Sequence, residues 1–544
     1  MTDTKSTSGI YPRLCLAYFC QFAIWGSWAG ALAGYAGDTL KLPGLQIGWL
    51  YAAIPLGAVI SPLFIGPIAD RFFSAQKVVA FLHAVGGLCL LAAGWLCASG
   101  NQTFASLMTL ILLSGVCFMP TIALVNTIVF KHLPNPDKAP QVFVFGTIGW
   151  IVINLFIAAF CGGAKTPNFF FVGGAVSIFL AVYSLSLPDT PPKGASAPRG
   201  KGDALGLGAL KLFKNPSFAI FAICIFIASI PACNYFFASQ VLFLTQRGYP
   251  SPLALTTLNQ FSELFFMAML PFFVAKIGLK RVLLLGLLAW SLRYFFFSQG
   301  GTHGFEFSLA GLLLHGLCYS FLYVGAYMYA DKVAPAHLKA STQSLMAFLL
   351  LGVGQTLGSL GYGQLADTYP PAIAEMQVAK NADKENTTGP LPPWADIKRA
   401  DSAWKYLDLG ATVTNMMKSD KDKEEAEKAA PSDLGVLLDV DKNNVITKAE
   451  LETVTKPITL DGVTYTKENL ETIFGKIAEM SKSTDGSVEH SQWLAVQAND
   501  WKMIFRIPAV FIFVFFLLFA VLGKDPVAPE DVAKKEDNAK TPAE

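Results

Sequence analysis

The stretch LNQFSELFFMAML, Leu258 to Leu270, places one carboxylate, Glu263, in an apolar run roughly midway between Leu253 and Ile277. Thr256, Gln260 and Glu263 recur at the helical spacing i, i+4, i+7 with Asn259 beside them, so one face of the expected helix is polar. Desolvation disfavours the charged form of a carboxyl. An acid at this depth can therefore take a proton from one side of a barrier and release it on the other. Ionisable groups inside apolar spans are costly and usually face a cavity; an ion pair with Arg293 is the alternative that would keep Glu263 charged. Other polar and aromatic residues stand at similar depth: Gln21, Trp25 and Trp28; Thr147 and Trp150 in FGTIGW; Asn234 and Tyr235; and His315, Tyr319 and Tyr323 at helical spacing. Converging amides and rings suit a flat ligand with a polar edge. The plainer reading makes the tryptophans packing residues and Gln21, Asn234, His83 and Arg293 contacts between helices.

A second constellation lies elsewhere. DVDKNNVITKAE, Asp439 to Glu450, has Asp439, Asp441 and Asn443 at loop positions 1, 3 and 5, Val445 at 7 for a backbone carbonyl, Thr447 at 9 and Glu450 at 12. That is the pattern of an EF-hand calcium loop. Position 6 is Asn444 where glycine is usual, and Asn is the residue next best suited to a left-handed backbone. Downstream, SKSTDGSVEHSQ keeps Asp485–Gly486 but begins with Ser481 and ends with Gln492, as a degenerate partner would. An acidic helix-capping turn is the alternative.

The elements that must position these groups follow from composition. Of 544 residues 53% are hydrophobic and 15% charged, against about 25% charged in soluble domains, which places the chain in the membrane class. Net charge +2 gives no support to nucleic-acid binding. The cysteines lie in or beside apolar segments without CxxC spacing, which argues against a thiolate metal site or a disulfide framework. The N-terminus carries no cleavable-signal pattern. Twelve segments reach the length needed to cross a bilayer: 12–36, 46–69, 77–98, 104–130, 141–163, 168–187, 216–245, 253–277, 281–299, 305–331, 338–366 and 503–523. The linker PDTPPKGASAPRGKGD divides the apolar part into six and six. The expected domains are 1–187, a cytoplasmic linker 188–215, 216–366, an extracytoplasmic insert 367–502, the last span 503–523 and a charged cytoplasmic tail 524–544.

Even-numbered loops carry Arg71, Lys77, Lys131, Lys138, Lys193, Arg199, Lys201, Lys211, Lys214, Lys276, Lys280, Arg281, Lys332 and Lys339, whereas odd ones carry only Lys41, Lys165 and Arg247. The positive-inside rule then puts both termini in the cytoplasm. Two six-helix halves imply a secondary transporter with its site near the midplane between them. GPIADRFFSAQKV after span two, with FVAKIGLKRV at the equivalent place in the second half, resembles the cytoplasmic loop signature of the major facilitator superfamily. Asp70 and Arg71 are then candidates for an inner gate, or else simple positive-inside anchors.

WGSW (25–28), MPTIALVNT (119–127), FGTIGW (145–150), LFKNPSFAIF (212–221), NQFSE (259–263) and LPFF (270–273) together resemble the nucleoside:proton symporter family of that superfamily. The resemblance runs over nearly all twelve spans. It implies an all-α membrane protein of the major facilitator fold, here with a small helical EF-hand-like domain added, and proton-driven nucleoside uptake. It also implies substrate contacts at Gln260, Glu263, Asn234, Thr147, Trp150, His315 and Tyr319, with Glu263 coupling the proton. Three positions depart from the family pattern: Phe143 replaces an expected basic residue, Pro231 an amide and Ser320 an acid.

Alternatives from the residues alone are the same fold carrying another solute, such as a sugar or an exported compound, or a transporter-like calcium or ligand sensor. An enzyme is disfavoured, since no nucleotide-binding glycine loop or nucleophile triad is present. No cofactor is expected for transport, and calcium is expected only in the insert. The expected partners are nucleoside, proton and lipid, with no nucleic acid, for a monomer in the inner membrane.

Overall fold

The computed structural model describes residues 9–71, 73–133, 135, 138–192, 206–300, 304–372, 437–439, 441, 443–460 and 463–527. For residues 62–71, 233–234, 459–460 and 463–464 it describes backbone alone. The helices are α1 (Ile10–Gly34), α2 (Gly44–Arg71), α3 (Ala75–Ala98), α4 (Phe104–His132), α5 (Ala139–Phe160), α6 (Asn168–Ser184), α7 (Pro216–Ser229), α8 (Cys233–Gln246), α9 (Thr257–Ile277), α10 (Leu279–Gln299), α11 (Phe305–Val333) and α12 (Ala336–Thr368). In the insert lie α13 (Lys448–Glu452), α14 (Lys467–Met480) and α15 (His490–Gln497), and α16 (Trp501–Leu522) closes the chain.

Among the described residues ten helical segments are long and apolar enough to cross a membrane, and α6 and α7 are shorter apolar helices. The expected single span over 216–245 is divided: α7 stops at Ser229 and α8 starts at Cys233. Pro231 explains the break, because it lacks a backbone N–H and its ring clashes with the carbonyl four residues earlier. Elsewhere boundaries follow local chemistry. Thr103 and Ser106 form a reciprocal capping box at the start of α4. Asn215 caps α7 with Pro216 in its first turn, and Gly278, at φ 81, separates α9 from α10.

The apolar faces pack into one continuous core. α1 lies against α5 and α6, and α3 against α4 and α6; in the second half α10 lies against α16 and α11, and α9 against α11. Between the halves, α2 meets α12, α1 meets α8 and α5 meets α9. Phe81, Trp95, Val182 and Val521 are exposed on the outside, as an apolar solvent permits.

The α2–α12 contact is unusually close at one end. A Cβ on Gly44 would fall 2.5 Å from Cβ of Ala366 and 2.7 Å from the Gly363 carbonyl oxygen. That approach lets the Asp367 carboxylate accept from the N–H of Gly44 at 2.6 Å and of Leu45 at 2.9 Å. The first N–H groups of a helix have no partner within it and carry partial positive charge, so Asp367 ties one half to the other. At the opposite end of α2 stand Asp70 and Arg71, whose side chains lie outside the described residues.

The insert was expected to be helical, but it is not purely so. It holds two antiparallel ribbons: β1 (Val445–Ile446) with β4 (Val488–Glu489), and β2 (Ile458–Leu460) with β3 (Val463–Tyr465). The β1–β4 register, Val445↔Glu489 and Ile446↔Val488, joins the two loops singled out in the sequence. β-Branched Val445, Ile446 and Val488 favour this pairing. Leu438, Ile446, Leu470, Phe474, Ile477, Val488 and Trp493 form a core separate from that of the membrane helices. The insert rejoins the bundle at Asn499, whose N–H donates to Gln246 on α8 at 3.0 Å and whose amide donates to the Ala366 and Tyr369 carbonyls at the end of α12 at 3.1 and 3.2 Å.

Candidate functional site

Between α1, α5, α8 and α9 lies a narrow cleft lined by Gly30, Trp150, Phe236, Phe237, Gln240, Val241, Thr256, Asn259 and Gln260. Gln260 and Asn259 come from the polar face of α9 that the spacing predicted. Trp150 comes from α5 and packs edge-on against Trp25, ring centres 5.7 Å apart. Phe236, Phe237 and Gln240 are brought in by α8, immediately after the break at Pro231. Asn259 donates its amide to Oε1 of Gln240 at 3.2 Å. Two polar atoms on this wall, Oε1 of Gln260 and Nε2 of Gln240, are buried and make no hydrogen bond within the protein. A buried polar atom is normally paired, so one acceptor and one donor here point to a ligand edge carrying the complementary pair.

Behind the cleft is a charged cluster. Oε2 of Glu263 lies 3.8 Å from Nε2 of His315 on α11. The close approach of α9 and α11 depends on Gly316, where a Cβ would fall 2.1 Å from the Ser262 carbonyl oxygen. Ser262 seals that contact: its hydroxyl donates to the Leu313 carbonyl and accepts from Gly316 N–H, the latter at 3.1 Å. His315 stacks on Phe236, ring centres 5.2 Å apart, which links the cluster to the cleft. Tyr319 stacks on His315 at 6.2 Å and Tyr323 on Tyr319 at 5.6 Å, as their helical spacing implies. A π-helical turn, Ser320–Val324, follows directly. Such turns occur often at functional sites.

Of the expected site residues, then, Gln260 and Trp150 line the cleft, and Glu263, His315 and Tyr319 form the adjoining cluster. Thr147 is half-buried one turn before Trp150 and is not among the described lining residues. The Asn234 side chain lies outside the described residues. Gln21 serves a contact between helices: its amide donates to Thr121 at 2.7 Å, and its carbonyl meets Nε2 of His83 at 2.9 Å. His83 is a packing histidine too, with Nδ1 3.2 Å from the Ser177 hydroxyl. Gln240, Phe236 and Phe237 were missed, although an amide inside the apolar run YFFASQ was a legible signal. Arg293, read as a packing contact, joins the cluster instead.

In the insert, the carboxylate oxygens of Asp439, Asp441 and Glu450 all come within 4.8 Å of one another. Asp439 accepts from the N–H of Asn443 at 2.9 Å and of Asn444 at 2.8 Å, and Asn444 adopts the expected left-handed conformation, φ 62. Glu450 accepts from Thr447 N–H at 2.9 Å, and Gln492 mirrors this in the second loop, accepting from Glu489 N–H at 2.8 Å. Burial pushes the Asp439 carboxyl up from its ordinary value. The Ser487 hydroxyl and N–H hold Asp485 at about 2.

A family model described as nucleoside H+ symporter matches residues 9–375. The chain is 39% identical over 360 residues to YegT of Escherichia coli (strain K12), covering 64% of this chain and 82% of that protein. It is 31% identical to the xanthosine permease of the same organism, covering 66% of this chain and 88% of the permease. The crystal structure of the nucleoside transporter NupG is similar in fold, with a TM-score of 0.60 at 27% identity, covering 66% of this chain and 92% of that one.

Proposed function

The chain belongs to the nucleoside H+ symporter family, and on that premise we propose how its cleft binds a nucleoside and its cluster couples a proton. The protein is a helical membrane transporter of proton-coupled nucleoside uptake. The observation that carries the binding reading is the pair of unsatisfied atoms, Oε1 of Gln260 and Nε2 of Gln240, on one apolar-walled cleft. A nucleobase offers neighbouring donors and acceptors on its edge and a flat face for Trp150, Phe236 and Phe237. Thr147, Asn234, His315 and Tyr319 complete the pocket in this reading, and Glu263 carries the proton. Uptake of a radiolabelled nucleoside panel, with and without an imposed pH gradient, tests the whole. Accumulation that ignores the gradient, or competition by sugars in place of nucleosides, would reject it.

In the same reading, α6 and α7–α8 join the ten longer helices in a twelve-span major facilitator fold. It acts as a monomer in the inner membrane, with both termini cytoplasmic. The domains are 1–187, 188–215, 216–366, 367–502, 503–523 and 524–544. Asp70 and Arg71 work at the inner gate. Asp367 of α12, seated on the start of α2, then closes the outer side. A carboxylate on a helix N-terminus is worth about 1 kcal/mol, or roughly five-fold in the open-to-closed ratio. Asp367→Ala should therefore raise labelling of a Ser359→Cys reporter by an impermeant external thiol reagent about five-fold. Unchanged labelling would remove Asp367 from the gate.

A second reading concerns the insert, and it rests on the convergence of Asp439, Asp441 and Glu450 in a loop paired through β1 and β4. Asn443, the Val445 carbonyl and Thr447 supply the remaining positions of a calcium loop, and the second loop, with Gln492 at its end, is a structural partner. Calcium should raise the melting temperature of the purified full-length chain, and Glu450→Gln should remove the rise. Because the Asp439 carboxyl is raised, protons compete with calcium at a higher pH than for an ordinary carboxylate. The rise should fade as pH falls. No calcium binding at millimolar concentration would end this reading.

A further inference from the structure

Arg293 on α10 is fully buried, and among the described residues no other Lys or Arg is. A guanidinium stays protonated in a protein and can only donate. Its Nη1 meets Nδ1 of His315, its Nη2 donates to Oδ1 of Asn259 at 3.1 Å, and its Cζ stands 3.7 Å from the centre of the Phe236 ring. Nδ1 of His315 is therefore an acceptor, and in a neutral imidazole the hydrogen then sits on Nε2. Nε2 is the atom that faces Oε2 of Glu263 at 3.8 Å. A doubly protonated ring would turn an N–H against an N–H of the guanidinium.

We propose that Arg293 is a positioning residue for proton coupling: it fixes His315 as the neutral tautomer whose Nε2–H faces Glu263, so that Glu263 alone binds and releases the transported proton. This rests on the reading of Glu263 as proton carrier and adds what makes it the sole one. The balance is simple. A proton binds a carboxylate oxygen of Glu263 from one side and leaves that oxygen to the other, while His315 neither gains nor loses one.

The other titratable groups around the cluster do not compete. Cys318 lies beside Arg293, Tyr319 stacks on His315, and Tyr294 stacks with Phe505; thiols and phenols stay protonated near neutral pH. α5, which packs on α9, carries no ionisable residue. The carboxylates nearest in sequence, Glu306 and Asp331, stand in the end turns of α11. Lys276, Lys280, Arg281 and Lys332 stand in end turns as well, and Lys502 and Arg506 are on the exposed face of α16.

The test uses the full chain in proteoliposomes and the radiolabelled nucleoside that the wild-type protein accumulates. It measures gradient-driven accumulation against pH and, separately, gradient-free exchange. Arg293→Met releases Nδ1, so His315 can take a proton and pair with Glu263. Accumulation should fall at least ten-fold and its pH profile should gain a second titrating group, with exchange retained. Arg293→Lys, which keeps a cationic donor, should keep the single-group profile. Adding His315→Gln to Arg293→Met restores a non-titrating N–H near the place of Nε2, and the single-group profile should return. A profile unchanged in Arg293→Met, or one not restored in the double variant despite normal exchange, overturns the proposal. Should Arg293→Met lose exchange through misfolding, His315→Gln alone decides: whatever its rate, it should keep the wild-type pH profile, and loss of gradient dependence would make His315 a carrier. Wild-type protein that accumulates no nucleoside under a gradient would refute the reading of Glu263 itself, a result distinct from all of these.

Discussion

Glu263→Gln should still bind and exchange nucleoside yet bring the ratio of internal to external nucleoside under a pH gradient down to about one. Glutamine copies the shape of the protonated acid and keeps a hydrogen-bonding head, but it cannot titrate. Glu263 is placed for this role by three features. It sits one turn from Gln260 on α9, its side chain is 22% exposed, and the one ionisable side chain paired with it among the described contacts is His315 at 3.8 Å. A group wholly enclosed could not exchange protons with either side, and one fully exposed would gain nothing from the protein. Were Glu263 only a packing residue, the glutamine variant would express poorly or lose exchange as well. Accumulation at the wild-type level in Glu263→Gln would dismiss it as the coupling residue.

Gln260→Ala should weaken nucleoside binding by about 5- to 150-fold, the range that corresponds to about 1–3 kcal/mol for a ligand group left unpaired. The loss should appear equally in exchange and in gradient-driven uptake, because Gln260 holds the ligand and not the proton. Gln240→Ala should behave in the same way, since its Nε2 is the second unsatisfied atom on that wall. Ligands lacking the matching edge should be nearly indifferent to both changes. Binding by isothermal titration, at expression levels equal to wild type, is the measurement. An unchanged dissociation constant for Gln260→Ala would move the site elsewhere.

The length of the apolar runs was enough for most of the membrane helices, because lipid removes water from the backbone and leaves an apolar helix as the one local solution for each long run. Periodicity sufficed for the polar face of α9, since residues four apart on a helix share a side whatever the helix packs against. Asn444 takes the left-handed conformation that its position implied, because such a turn is a local event. Tertiary structure decided the rest. Pro231 was visible as a departure, but only the packed bundle shows that the break it makes turns Phe236 and Gln240 toward Gln260. Asp367 stood in the sequence only as the first residue of the insert, and the close approach of Gly44 and Gly363 is what lets α2 start against it. Arg293 could be read as a partner of Glu263 or as a packing residue, and neither reading named His315 as the group between them. Each of these depends on atoms brought within about 4 Å by segments far apart in sequence, and a pattern with a period of 3.6 or 2 residues carries no information about which segments those are.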